Sequence, residues 1–123
     1  MNDFVTSFEA ACAAKGIAPE LPDVTNLPEW MRKRILAEYR LDVILQVNND
    51  GWVANIADTD QWKYFPCFEI EPDENSASGF GLSCFGHCSI SSDAYLYPQA
   101  CKSAELAEFM GNTFTHLYMD LLA

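Results

Sequence analysis

The segment 84–88, Cys-Phe-Gly-His-Cys, gathers the residue types of a metal site more closely than any other part of the sequence. Zinc is usually held by four cysteine or histidine ligands that come as two closely spaced pairs. Cys84, His87 and Cys88 supply three ligands, and a distant cysteine would have to supply the fourth. On a regular strand, Cys84 and Cys88 share one face while His87 lies on the other. The spacing favours a packed hairpin, and we expect neither a metal nor a cofactor.

A neighbouring cysteine and histidine also permit thiol catalysis, because an imidazole can lower the pKa of a nearby thiol. His87 directly precedes Cys88, while the other histidine, His116, lies next to Leu117 on the predicted C-terminal helix and fits a boundary position there. No flanking motif supports a catalytic pairing. We therefore expect no enzyme, and keep as the alternative a Cys/His metal-binding protein or thiol enzyme that uses Cys84, His87 and Cys88.

The number of cysteines and the N-terminal residues together indicate the cellular compartment. Five cysteines are an odd number, and the N-terminus lacks the positive and apolar regions of a secretory signal. The longest apolar run, around Leu41–Val47, is too short to span a bilayer. We expect a cytoplasmic protein away from membranes that is metal-free, with all five thiols free under reducing conditions.

Aromatic and acidic residues are mixed between Gly51 and Phe68. Large rings are enriched at the centres of interfaces and ligand sites. The predicted binding residues of this segment are Trp52, Asp58, Asp60, Trp62 and Tyr64. The two tryptophans bracket a polar loop, so we expect at least one of them to stay partly exposed at the edge of a concave patch with the aspartates. In the alternative interpretation both indoles close over the core.

The net charge of −11 is unevenly distributed along the chain. Residues 1–49 contain 7 acidic and 5 basic side chains, whereas residues 50–123 contain 11 acidic and 2 basic ones. A field of this sign repels phosphate backbones, so nucleic acid is disfavoured as a partner. An acidic decoy that occupies a nucleic-acid-binding protein remains open.

Two helices are predicted in the N-terminal half. Apolar residues at helical spacing favour a helix over Asp3–Lys15, capped by Asn2 or Asp3, with Gly16 following its end. After an extended linker, the sequence predicts one long helix over 28–48. A strand over Leu41–Val47 competes with its second half, because apolar residues also alternate there.

Strands and a last helix are predicted in the second half. Lys63–Glu71 is typical of a strand, and Phe80–Ile90 of one or two strands interrupted near a glycine. Tyr95–Cys101 is expected to be extended. Ser103 caps a final helix, in which Gly111 indicates close packing on a neighbour.

This element order predicts a single α+β domain over residues 1–123. It consists of two N-terminal helices, a small antiparallel β-meander and a C-terminal helix packed on the sheet. At 123 residues the chain is long enough to bury a core without disulfides.

Three stretches, residues 61–68, 78–81 and 101–109, together resemble a group of small proteins of gut bacteria and their prophages. The similarity extends more faintly over Leu27–Trp52 and covers about two-thirds of the chain. Cys67 stands where that pattern has a tryptophan. The resemblance implies a phage-related context, with no activity, cofactor or catalytic residue attached to it.

These observations predict a small acidic binding or accessory protein, phage-derived and non-enzymatic, that acts through a protein–protein surface. The partner protein and the oligomeric state are left open by the sequence.

Overall fold

A computed structural model describes residues 3–92 and 99–122, which form four helices and one two-stranded antiparallel sheet. The elements in chain order are α1 (Phe8–Lys15), α2 (Glu29–Asn48), β1 (Lys63–Pro72), β2 (Phe80–Ile90), α3 (Ala104–Thr113) and α4 (Thr115–Leu122). Helix α3 packs against both strands. The predicted α+β class is confirmed.

The elements group into two compact units. The N-terminal unit contains the described residues up to Gly51 together with those from His116 onward, and the central unit is the continuous stretch Trp52–Thr115. The single domain over residues 1–123 stays a prediction.

Helix α1 begins five residues later than the sequence predicts. The Ser7 side chain accepts a hydrogen bond from the Ala10 amide at 3.1 Å and is the N-cap, so the predicted cap at Asn2 or Asp3 is wrong. Residues 3–6 are not helical, and the Val5 amide in this stretch donates to Asn48 Oδ1 of α2 at 2.8 Å. The predicted end is confirmed, with Gly16 in the left-handed conformation (φ 71°).

Helix α2 runs as one element to Asn48, so the alternative of a strand over Leu41–Val47 is wrong. Leu41, Ile44 and Leu45 are buried, and their spacing of three and four residues is that of one helical face. Apolar residues also alternate in this segment because further apolar side chains lie on either side of the buried helical face. Helices α1 and α2 pack together within the N-terminal unit.

Asp42 is a half-buried carboxyl group within α2. Its Oδ1 is buried and has no hydrogen-bond partner within residues 3–92 and 99–122. Burial, together with the neighbouring charge of Glu38, raises the pKa of Asp42 from 3.8 to about 6. The folded state therefore holds this proton more tightly than the unfolded chain does. The resulting stability is fully present below about pH 4 and is lost as the pH rises through about 6.

We expect the substitution Asp42→Asn to stabilise the protein above pH 6, because it removes a charge that burial disfavours. After allowance for solvent screening of this partly exposed group, the gain in the free energy of unfolding is about 1 kcal/mol. Urea denaturation at about pH 8 and about pH 4 measures it, and the difference from wild type should vanish at the lower pH. The exposed Asp3→Asn is the control. An equal effect of Asp42→Asn at both pH values would contradict this explanation.

The two strands of the central unit pair from Lys63 opposite Ile90 to Pro72 opposite Phe80. The predicted first strand is confirmed with one added residue, and the second is continuous. The interruption predicted in the second strand is a β-bulge. Gly86 pairs with Cys67 and Cys84 pairs with Phe68, so Phe85 between them has no residue opposite it.

The last predicted helix is capped by Ser103 as expected, since its side chain accepts a hydrogen bond from the Leu106 amide at 3.1 Å. The helix is divided at Phe114 into α3 and α4. Of the segment predicted to be extended, residues 95–98 lie outside the described residues. Cys101 at its end exchanges two backbone hydrogen bonds with Tyr64, at 2.8 and 3.1 Å.

Candidate functional site

The loop between α2 and β1 is held together by polar side chains of its own. The Gln61 side chain bonds to the loop backbone at two points. Its Oε1 accepts a hydrogen bond from the Asn55 amide at 2.7 Å, and its Nε2 donates to the Val53 carbonyl at 3.0 Å. Lys63, at the end of the loop, is fully buried, and its Nζ donates to the Asp58 carbonyl at 2.9 Å. A segment without helix or strand thus has a defined conformation, as in compact surface loops that carry function.

The two aspartates predicted as binding residues lie exposed on this loop. Asp58 Oδ1 accepts a hydrogen bond from the Asp60 amide at 3.0 Å, which is an Asx-turn. The Asp58 backbone carbonyl is directed at Lys63, whereas both carboxylates lie on the solvent side of the loop. They give its surface a negative charge.

Three apolar side chains are exposed on the same loop as these carboxylates. Val53 is 74% exposed, Ile56 64% and Trp62 53%. Exposed apolar side chains gathered on one segment are informative, because single ones are common on any surface but groups mark interaction sites. We use the name loop patch for Val53, Ile56, Asp58, Asp60 and Trp62.

The predicted binding residues fall into three places. Trp62 is exposed on the loop, which agrees with the expectation that at least one indole reaches solvent. Trp52 is half-buried at the start of the loop. Tyr64 lies in β1, where its ring meets that of His87 edge-on with centroids 5.9 Å apart. The exposed Val53 and Ile56 were missed, although their position among polar residues with no regular apolar period is a signal of loop exposure.

His87 and Cys84 both contact α3. His87 Nδ1 donates to Glu108 Oε2 at 2.6 Å, and a side chain at Gly111 would meet Cys84 Sγ. The register places Cys88, opposite Phe65, on the other face of the sheet. The expectation for a regular strand, with Cys84 and Cys88 on one face, is wrong because the bulge shifts the alternation by one residue.

The three residues of the alternative function are therefore divided between two faces. Cys84 Sγ donates to the Gly86 carbonyl at 3.4 Å. Among residues 3–92 and 99–122, no three side chains of the ligand types gather closely enough to hold a metal ion. All five cysteines are free thiols, and burial raises the pKa of Cys101 to about 12.

Comparisons of the chain with protein-family models, with curated proteins and with solved structures found no match. The resemblance to proteins of gut bacteria and prophages thus stays a prediction. Within the described part of the chain, no helix combines the length and the apolar character needed to cross a bilayer.

Proposed function

We propose that the protein is a non-enzymatic binding protein whose loop patch docks a segment of a partner protein. The preferred segment presents a large apolar side chain flanked by lysine or arginine. The observation that carries this proposal is the exposure of Trp62, Val53 and Ile56 on a loop whose conformation is fixed by Gln61 and Lys63.

The apolar part of the patch supplies affinity. Indole and aliphatic side chains gain about 25 cal/mol for each Å² that a partner covers. Because the loop is already hydrogen-bonded, ordering it on association costs little entropy. Trp62 is the expected anchor, since tryptophan is over-represented among the residues that dominate binding energy.

The charge of the central unit selects the partner. Residues 52–115 contain nine acidic side chains against two lysines, and one of these, Lys63, is buried. The central unit is therefore strongly acidic in sequence, and Asp58 and Asp60 place part of this charge on the loop patch itself. Electrostatic complementarity favours a cationic partner and speeds its association.

The same charge disfavours nucleic acid as a partner. An acidic decoy for a nucleic-acid-binding protein is a variant of this proposal, because such a partner presents a basic surface. We place the protein in the cytoplasm and in a phage-related context, on the strength of its cysteine content and its sequence resemblance. The Cys/His alternative has less support, since Cys88 and His87 lie on opposite faces of the sheet.

Selection from a random peptide display library tests the proposal. Peptides that bind the wild-type protein should be enriched in lysine or arginine next to a large apolar residue. The substitution Trp62→Ala should weaken binding of a selected peptide about 30-fold, which corresponds to about 2 kcal/mol. Asp58→Asn, which keeps the acceptor of the Asx-turn, should slow association and reduce its salt dependence.

Phe85→Ala is the matched control, because this ring is 69% exposed on the bulge of β2 and is not part of the loop patch. It should leave peptide affinity unchanged. Selected peptides without basic residues, or an affinity insensitive to Trp62→Ala, would refute the proposed surface.

A further inference from the structure

Two cysteines meet on the sheet face turned away from α3. Cys67 pairs with Gly86, and Cys88 pairs with Phe65, so the two cysteines are diagonal neighbours on one face of the hairpin. Cys88 is exposed and Cys67 is half-buried. The Cys88 thiol is near enough to Cys67 to contribute to the raised pKa of the Cys67 thiol. The sequence separates them by twenty residues and gives no direct sign of this proximity.

The β-bulge explains why a diagonal pair comes close together. In a regular antiparallel pair, diagonal neighbours lie about 7–8 Å apart, which exceeds the Cα separation of about 4.4–6.8 Å that a disulfide needs. A bulge increases the local twist of the strands and can bring one diagonal closer. Gly86, opposite Cys67, has no side chain, so the Cys88 side chain can lean across it.

We propose that Cys67 and Cys88 form a dithiol site that reacts with small-molecule disulfides of the glutathione disulfide class and closes reversibly into an intramolecular disulfide. The site lies on residues other than the loop patch, so this proposal stands independently of the proposed function.

The reaction is a two-step thiol–disulfide exchange. The Cys88 thiolate attacks one sulfur of glutathione disulfide, which forms a mixed disulfide and releases one glutathione. The Cys67 sulfur, after losing its proton to water, then attacks the Cys88 sulfur and releases the second glutathione. Two electrons and two protons pass from the protein thiols to glutathione disulfide. Glutathione reverses both steps.

The surroundings assign the order of attack. Cys88 is exposed and can be reached by a small-molecule disulfide, whereas Cys67 is half-buried. Burial raises the pKa of Cys67 to about 11, and the neighbouring thiols of Cys88 and Cys84 contribute to the rise. Once Cys88 is in a mixed disulfide, its thiol no longer opposes ionisation of Cys67. Cys67 is therefore the resolving cysteine.

The remaining cysteines are poorly placed to compete. Cys12 and Cys101 are buried. Cys84 lies on the opposite face, against α3, and its thiol donates to the Gly86 carbonyl.

Incubation of the folded protein with glutathione disulfide tests the site, with thiol titration, intact mass and peptide mapping as readouts. The wild-type protein should lose two of its five thiols and a mass of two hydrogens, and mapping should join Cys67 to Cys88. Cys67→Ser should stop at one glutathione adduct on Cys88. Cys88→Ser should keep its four remaining thiols.

Cys84→Ser is the matched control and should close the Cys67–Cys88 disulfide as the wild type does. Circular dichroism verifies that each variant is folded. Peptide mapping of the oxidised wild-type protein tests the proposal even if a variant fails to fold. A wild-type protein that accumulates a stable glutathione adduct, forms a disulfide through Cys84, or keeps all five thiols would overturn the proposal.

Discussion

Replacing Phe114 with alanine is expected to lower the free energy of unfolding by about 3–5 kcal/mol. The ring is 3% exposed and lies between the end of α3 and the start of α4. It meets the ring of Phe109 edge-on, with centroids 6.2 Å apart. Truncation removes the transfer energy of a buried ring and leaves a cavity that rigid helical neighbours cannot fully close.

Chemical denaturation monitored by circular dichroism measures this loss. Phe85→Ala removes the same atoms from an exposed ring and should change the free energy of unfolding by less than about 0.5 kcal/mol. Equal effects of the two substitutions would mean that the segment around Phe114 is peripheral in solution, or that it packs only in an oligomer.

Gly111→Ala is expected to destabilise the protein by about 2–3 kcal/mol, although alanine ordinarily stabilises a helix relative to glycine by about 1 kcal/mol. A Cβ at this position would lie 2.5 Å from Cys84 Sγ and 2.8 Å from Pro66 Cβ. The cysteine side chain can rotate away, but the proline ring is fixed to its strand. Helix α3 would therefore have to move off the sheet.

Gly81→Ala is the matched control, since the nearest atom to its Cβ would be 3.8 Å away, an ordinary contact. It should unfold at nearly the wild-type denaturant concentration. Cys84→Ala in the Gly111→Ala background removes one of the two clashes and should restore part of the lost stability. A Gly111→Ala protein as stable as the wild type would show that α3 is not closely packed on the sheet.

The sequence predicts those elements whose ends are marked by local chemistry. Gly16 supplies a left-handed C-cap, Ser103 supplies a side-chain acceptor, and Pro28 precedes a helix start. These signals act within a few residues of the backbone they terminate, so a single sequence carries them. The close packing at Gly111 is likewise foreseeable, because glycine in a helix interior is costly unless a neighbour requires it.

Features that depend on distant contacts could not be predicted in this way. The non-helical stretch before α1 is held by Asn48, which lies 43 residues from its partner Val5. The bulge at Phe85 depends on how β2 fits both β1 and α3. The division at Phe114 likewise has no glycine or proline at the break itself.

The candidate site was predictable only in part. The exposure of Trp62 follows from its polar neighbours, and the structure agrees with it. The burial of Lys63 was missed because lysine is almost never fully buried, and only the folded loop supplies its carbonyl acceptor at Asp58. The proximity of Cys67 and Cys88 could not be predicted, because the bulge shifts the strand register and changes the face on which Cys84 lies relative to Cys88.

The division into two units has a consequence for synthesis on the ribosome. Trp52–Thr115 is continuous in the chain, so the central unit can complete its contacts as soon as Thr115 has emerged. The N-terminal unit includes residues from His116 onward, among them Asp120, whose carboxylate lies 3.3 Å from Lys33 Nζ. Although α1 and α2 are translated first, their unit must wait for the last part of the chain. Throughout translation of the central unit, the nascent N-terminal helices thus lack the contacts that residues from His116 onward supply, such as the Lys33–Asp120 ion pair.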